Sequence, residues 1–148
     1  MTSSTPADVV RALFAPAEDG GIGLGDLSYV DELLAIDFVN HAAAPQGRAG
    51  WKAIVTVIEA DLGPVTVEHH HVLADGEFVA HHMTLHGTHR GSTMPLLAGR
   101  EPTGRPIAWR YLHLWRVVDG LVVEHWAYRD DLGLLAQLEA TNGPSTTP

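Results

Sequence analysis

Apolar positions follow two regimes along the chain, helical up to about residue 63 and alternating after it. Near the start, Val9, Val10, Leu13 and Phe14 recur at helical spacing. They follow Thr5-Pro6, a hydroxyl cap with proline in the first turn, and Pro16 ends the run. Residues 18–25 hold four glycines and predict a loop. A second helix opens at Asp26 or Ser28 and carries Leu27, Val30, Leu33 and Leu34 along one side. The short stretch Asp37 to His41 and a loop through Pro45 and Gly47 come next. A third helix then runs from about Gly50 to Asp61, with Trp51, Ile54, Val55 and Ile58 inward, and Gly63-Pro64 closes it.

From Val65 the pattern becomes that of strands. Val65 to Leu73 and Phe78 to His86 flank Asp75-Gly76, and Ile107 to Val117 and Leu121 to Arg129 flank Asp119-Gly120, so two hairpins are predicted. The loop Gly91 to Pro106 joins them; its first part, through Gly104, carries Met94, Leu96 and Leu97 and is long enough to form a mobile lid over a pocket. Asp130 or Asp131 caps a last short helix through Leu132, Leu135 and Leu138. Helices first and antiparallel strands afterwards define the α+β class. A curved, mostly antiparallel sheet wrapped around N-terminal helices leaves a concave pocket for a small ligand. The expected organisation is one domain over residues 1–148, with disordered tails at 1–5 and 143–148.

The second hairpin carries the candidate chemistry. Trp109, Tyr111, His113 and Trp115 share one strand face by alternation. A two-residue Asp119-Gly120 turn sets Val118 opposite Leu121 and His113 beside Trp126. A three-residue turn sets His113 beside His125, gathering Trp109, Tyr111, His113, His125, Ala127 and Arg129 on one surface. The sequence leaves both registers open.

Charge and composition narrow the partners. Eighteen acidic against nine basic residues argue against nucleic acid or an anionic membrane. Cysteine is absent, which excludes thiolate nucleophiles, disulfides and zinc-thiolate sites. No apolar run reaches membrane-spanning length and the N-terminus does not read as a secretory signal, so a cytoplasmic protein is expected.

Ten histidines stand out. His69 to His71 and His81-His82 raise a metal hypothesis: on a regular strand His69 and His71 share a face, and His81 or His82 of a neighbouring strand would give at most three imidazoles together. The spacing of a defined metal site is missing, so none is expected. His82 or His86 could reach the pocket, and Thr88-His89 reads as structural.

The run HLWRVVDGLVVEHWAYRDDLGLLAQL resembles the C-terminal segment of the SnoaL-like polyketide cyclases, members of the nuclear-transport-factor-2-like superfamily. DFVNHAAAPQGRAGWKA looks like that family's first strand and third helix, and GTHRG with PTGRPIAW resembles its loop before the last hairpin. The likeness spans about Ala7 to Glu139 and departs from the family in a longer loop at Gly20 to Gly25. The resemblance implies a conical α+β barrel, a homodimer, and a pocket inside the cone. For the founding cyclases it also implies a cofactor-free intramolecular aldol ring closure. There an aspartate on the last strand is the acid/base, a histidine on the preceding strand assists, and a glutamine and an asparagine line the pocket. Carried over by position, the histidine falls on His113, the asparagine on Asn40, the glutamine on Tyr111 and the aspartate on Ala127.

A methyl group cannot move a proton, and Asp130, the next acid along, faces the other way and suits a helix cap. Imidazoles titrate near neutrality and can take over that work. The reading is therefore a cofactor-independent, SnoaL-like enzyme performing aldol-type cyclisation or isomerisation on a hydrophobic, oxygenated, polyketide-derived small molecule. His113 carries the proton transfer with His125 and Tyr111 assisting, and Asn40, Trp109, Ala127 and His82 line the substrate site. The alternatives are a non-catalytic binding protein of the same fold and a histidine-based metal-dependent variant. Epoxide-hydrolase and ketosteroid-isomerase readings lack an inward carboxylate.

Overall fold

Thr5 starts the first helix with a reciprocal cap. Its hydroxyl accepts the Asp8 N–H at 3.2 Å while Asp8 Oδ2 accepts the Thr5 N–H at 3.0 Å. Thr5 therefore belongs to the fold and not to a frayed tail. This computed structural model describes residues 3–18 and 26–139. The expected glycine loop at 19–25 and the expected tail at 143–148 lie outside the described residues.

Helix α1 (Pro6–Glu18) continues through Pro16 instead of ending there. A proline in the last turn has a helix-compatible φ and forfeits only the hydrogen bond its missing N–H would have made. Helix α2 (Ser28–Leu33) is shorter than its apolar pattern, because Leu34 opens strand β1 (Leu34–Asn40). Helix α3 (Gly47–Leu62) begins nearly a turn earlier than expected. It turns Trp51 and Val55 inward and half-buries Ile54 and Ile58.

The two hairpins follow as β2 (Thr66–Asp75) with β3 (Phe78–Thr88), and β4 (Pro106–Val118) with β5 (Leu121–Arg129). The sheet order is β1-β5-β4-β3-β2, with β1 parallel to β5 and every other pair antiparallel. The sheet curls around α1 and α3 without closing, so it is an open-edged version of the expected cone. Helix α4 (Asp131–Glu139) packs on β4 through Leu134 and Leu138, while Leu132, expected on that buried side, points to solvent. The core lies between the sheet's concave face and the helices. It includes Val10, Leu13, Phe14, Leu62, Met83, Trp109 and Trp115.

Residues 91–105 do not form a free lid. Asp61, fully buried at the end of α3, accepts the Thr93 N–H, the Thr93 hydroxyl and the Met94 N–H, all within 3.1 Å. Its backbone carbonyl accepts the N–H groups of Arg90 and Gly91. Buried His89 ties in the other end, bonded to the hydroxyls of Ser92 and Thr103. A 3₁₀ turn at Pro95–Leu97 then drops Leu97 into the core. The segment is a packed strap across the mouth between α3 and β4.

Three hydrogen bonds on one buried carboxylate make the strap depend on Asp61. Asp61→Ala is expected to lower unfolding stability by about 3 kcal/mol, since three hydrogen bonds to one carboxylate are lost and the buried Met94 N–H is orphaned. Denaturant titration reads the loss, and hydrogen exchange should find the Thr93 and Met94 amides deprotected before the sheet.

Candidate active site

Alternation on β4 buries Trp109, Tyr111, His113 and Trp115 on the concave side and leaves Arg110, Leu112 and Leu114 outside. The β4–β5 turn is the two-residue form, with Val118 opposite Leu121 and Asp119 and Gly120 at φ +50° and +79°. Carried on without interruption, that register would set His113 beside Trp126. An extra residue, Val123, bulges out of β5 between the pairs Val117–Val122 and Arg116–Glu124. The pairs beyond it become Trp115–His125, His113–Ala127 and Tyr111–Arg129. The surface that the three-residue turn would have gathered is thus gathered by a two-residue turn plus a bulge.

On that surface Asn40, His125 and His113 form a chain. Asn40 Oδ1 accepts the Ala42 N–H at 2.9 Å, which fixes which amide atom is the oxygen. The same oxygen lies 2.9 Å from His125 Nδ1, so that nitrogen must be the donor. In neutral His125 the other nitrogen, Nε2, is then a lone pair, and it faces His113 Nδ1 at 2.8 Å. His113 therefore donates from Nδ1 and presents Nε2 as an unprotonated acceptor. That Nε2 is buried and has no hydrogen-bond partner among the described residues. Asn40 is itself held by Gln46, which accepts the Asn40 N–H and donates to its carbonyl.

Histidines sort by strand face, and here the structure corrects the sequence. His82 does not reach the pocket: it lies on the convex face, with Nδ1 3.2 Å from His71 Nδ1 and its ring parallel to that of His71. Its neighbour His81 is the inward residue, fully buried, bonded to His69 at 2.8 Å and stacked 5.4 Å from the His113 ring. Strand β2 also carries an extra residue, His70, between the pairs His69–Met83 and His71–His82. The bulge sends His71 outward, whereas regular alternation would have kept it with His69. Among the described residues no three or more histidine or acidic side chains converge as a metal-binding set.

Two adjacent chambers lie on this side of the sheet, and the inner one reaches His113 and His125. The inner one, about 70 Å³, is lined by Phe14, Asn40, Trp51, Tyr111, His113, His125 and Ala127 among others. The outer one, about 370 Å³, lies between α3 and the strap, lined by Ala42 to Pro45, Ile54, Met94, Leu96 and Trp109. Residues Ala42, Ala43, Ile54, Ile58 and Arg129 border both. Tyr111 stacks on His113 with ring centroids 5.0 Å apart. Asp130 faces away, where it accepts the Gly133 N–H at the start of α4 and pairs with Arg110 at 2.6 Å. Those two contacts hold its carboxyl below the usual range. Asp131 accepts from Trp109 Nε1 and from Arg129, each at 3.1 Å. Neither acid borders the inner chamber.

Burial dominates the electrostatics. It holds His113 well below the ordinary histidine value, with neighbouring His125, His81 and Arg129 acting the same way. His81 and His125 are each pushed down to about 3, burial again being the largest cause. Burial raises the Tyr111 phenol, with Arg129 pulling the other way, so the hydroxyl keeps its proton. The site at neutral pH is a row of neutral imidazoles, one of them a free acceptor, beside a phenol donor.

The family described as SnoaL-like polyketide cyclase matches residues 20–138. Nogalonic acid methyl ester cyclase of Streptomyces nogalater is 31% identical over 119 residues, covering 74% of this chain and 82% of that protein. Aklanonic acid methyl ester cyclase DnrD of Streptomyces peucetius is 28% identical over 146 residues, 91% of each. The crystal structure of wild-type IdmH from Streptomyces antibioticus superposes with a TM-score of 0.75 at 31% identity. It covers 93% of this chain and 100% of its own.

The depressed histidines set a stability profile. An unfolded histidine protonates near 6.5, whereas folded His81 and His125 stay neutral to about 3, so the unfolded chain binds more protons between those values. Stability is complete above pH 6.5 and falls as pH drops, by about 1.4 kcal/mol per pH unit for each histidine. Urea titrations from pH 7.5 to 4.5 measure the slope. His81→Leu should remove one histidine's share of it; an unchanged slope would rule out His81 as a contributor.

Proposed function

The chain belongs to the SnoaL-like polyketide cyclase family, and from that premise we propose that it closes a ring by intramolecular aldol chemistry on a polyketide-type molecule, with His113 as the base. One observation carries the reading: a hydrogen-bonded relay from Asn40 through His125 ends at an unpartnered Nε2 of His113, a residue lining a mostly apolar chamber that Tyr111 and Arg129 also border.

In the proposed reaction a C–H of the substrate gives its proton to His113 Nε2, and the bonding pair moves into an enolate. The enolate carbon attacks a ketone carbon of the same molecule and forms the new C–C bond. The ketone's π pair becomes an alkoxide, which takes the proton back from Nε2, so the product is an isomer of the substrate. Tyr111, kept protonated by burial, donates to the enolate oxygen. His125 supports the transient imidazolium through the lone pair facing His113 Nδ1, and Asn40 fixes the His125 tautomer. No step needs a cofactor.

Because the relay ends on a neutral amide and not on a carboxylate, it yields a weaker base than a His-Asp pair. The proposed substrate therefore has an already acidic C–H, one flanked by two carbonyls. A flat, oxygenated hydrocarbon suits the alanine- and isoleucine-lined outer chamber. Trp109 walls that chamber, and the small Ala127 opposite His113 leaves the inner one open.

We also propose that the convex sheet face joins two copies. It exposes Leu73, Leu112 and Tyr128 around a groove of about 550 Å³ rimmed by His71, His82, Arg110 and Asp130, an apolar centre with a polar rim. Sedimentation should give a dimer that Leu112→Asp dissociates; a wild-type monomer at high protein concentration ends that idea.

His113→Ala is expected to cut kcat/KM by ~100- to 10,000-fold on a cyclisable β-dicarbonyl ester, with unchanged circular dichroism. Turnover that survives the change, or a ligand that binds wild type and returns chemically unaltered, refutes the assignment. Since His113 titrates well below its ordinary value, kcat/KM should stay level as pH falls through 6.5.

A further inference from the structure

We propose that Arg129 selects ligands carrying a planar, two-oxygen anion, a carboxylate or the enolate of a dicarbonyl, at the junction of the two chambers. The proposal takes the chambers as the ligand site, as above, and does not depend on the chemistry assigned to His113.

The same bulge sets Arg129, the last residue of β5, on the face that carries His125 and Ala127, opposite Tyr111, with its side chain partly exposed at the end of the sheet. It borders both chambers, and among their described lining residues it is the one with a permanent charge. Every other group there is apolar, an amide, a phenol or an imidazole held neutral by burial. A negative ligand group therefore has a single place to go.

The guanidinium is also held in a defined pose. Its carbon sits 5.2 Å from the Trp109 ring centroid, and Nη2 donates to Asp131 Oδ2 at 3.1 Å. Asp131 is anchored in turn by the Trp109 indole N–H at 3.1 Å. A residue clamped by a ring beneath it and a carboxylate at one nitrogen offers its remaining donors in a fixed plane. That fork matches two coplanar oxygens, as carboxylates and dicarbonyl enolates present them.

Its position also suits the reaction. The Tyr111 ring stacks on His113, and the Tyr111 hydroxyl lies within the influence of Arg129. An oxyanion gripped by Arg129 and Tyr111 would sit against the inner chamber that His113 also lines. Arg129 would act as a positioning residue for the substrate's oxygens while the imidazole handles the proton.

The test is a binding measurement that needs no turnover. Anthraquinone-2-carboxylate and its methyl ester share a flat body and differ in the anion. Calorimetry or tryptophan quenching should find wild type binding the carboxylate at least about tenfold more tightly than the ester. Arg129→Gln should erase that preference while leaving the ester's Kd within about twofold, and Arg129→Lys, which keeps the charge but not the fork, should fall between. His113→Ala should retain the preference in full, which separates this inference from the catalytic one. Equal affinities for the two probes in wild type, failure of both to bind at millimolar concentration, or a preference that survives Arg129→Gln would each overturn it.

Discussion

One inserted residue decides which side of β5 meets the interior. Because strand side chains alternate with period two, a single extra residue flips every position beyond it. Val123 is that residue. Without it Val122 would still be buried next to the turn, but Trp126 and Tyr128 would follow it inward while His125, Ala127 and Arg129 faced outward. A tryptophan would fill the space opposite His113, and the relay to Asn40 would not exist. His70 acts likewise on β2, keeping His69 inside and sending His71 to the convex face. Two bulges in one sheet therefore sort the imidazoles into a buried row and an exposed group.

The buried row is an unusual way to fill a core. His69, His81, His113 and His125 come from four adjacent strands, with ring centroids about 5 Å apart from one to the next. Phe14 and Trp115 wall them in. Neutral imidazoles can pack this way because a donor nitrogen of one ring meets an acceptor of the next within His69–His81 and within His113–His125, and the two pairs meet by stacking His81 on His113. Burial resists a proton on His81, His113 or His125, and no carboxylate lines the inner chamber beside them to support one. The same feature that lets histidines serve as core residues keeps His113 unprotonated and able to accept.

Much of this was legible in the chain. Helical and alternating regimes, the two hairpins and the cap at Thr5 all rest on local periodicity and turn chemistry, which survive folding unchanged. His113, Tyr111, Asn40 and Ala127 lie on one surface because the resemblance supplied an arrangement that spacing could not; His125 joins them through a register the hairpin sequence left open. His82 failed because the two halves of a His-His pair are equivalent in one dimension; only the partner strand tells which is inward. Bulges at His70 and Val123 left no glycine to mark them, so the register near them was open. Asp61 was hidden as well: an acid at a helix end reads as solvated until the strap that surrounds it is known.

Acidic side chains on this fold are committed elsewhere. Asp61 holds the strap, Asp130 starts α4, Asp131 clamps Trp109 and Arg129, and Glu124 bridges His41 and Arg116 on the convex side. With these carboxylates outside the lining of both chambers, the interior offers one arginine, itself paired with Asp131, and a neutral base. Such a site gains little from a substrate whose C–H is hard to remove, since no buried carboxylate drives the transfer. It gains most from one whose negative charge, once formed, spreads over oxygens that an arginine and a phenol can hold. Selection then falls on substrates that delocalise charge well, and the absent carboxylate becomes a constraint on substrate chemistry before it is a loss of rate.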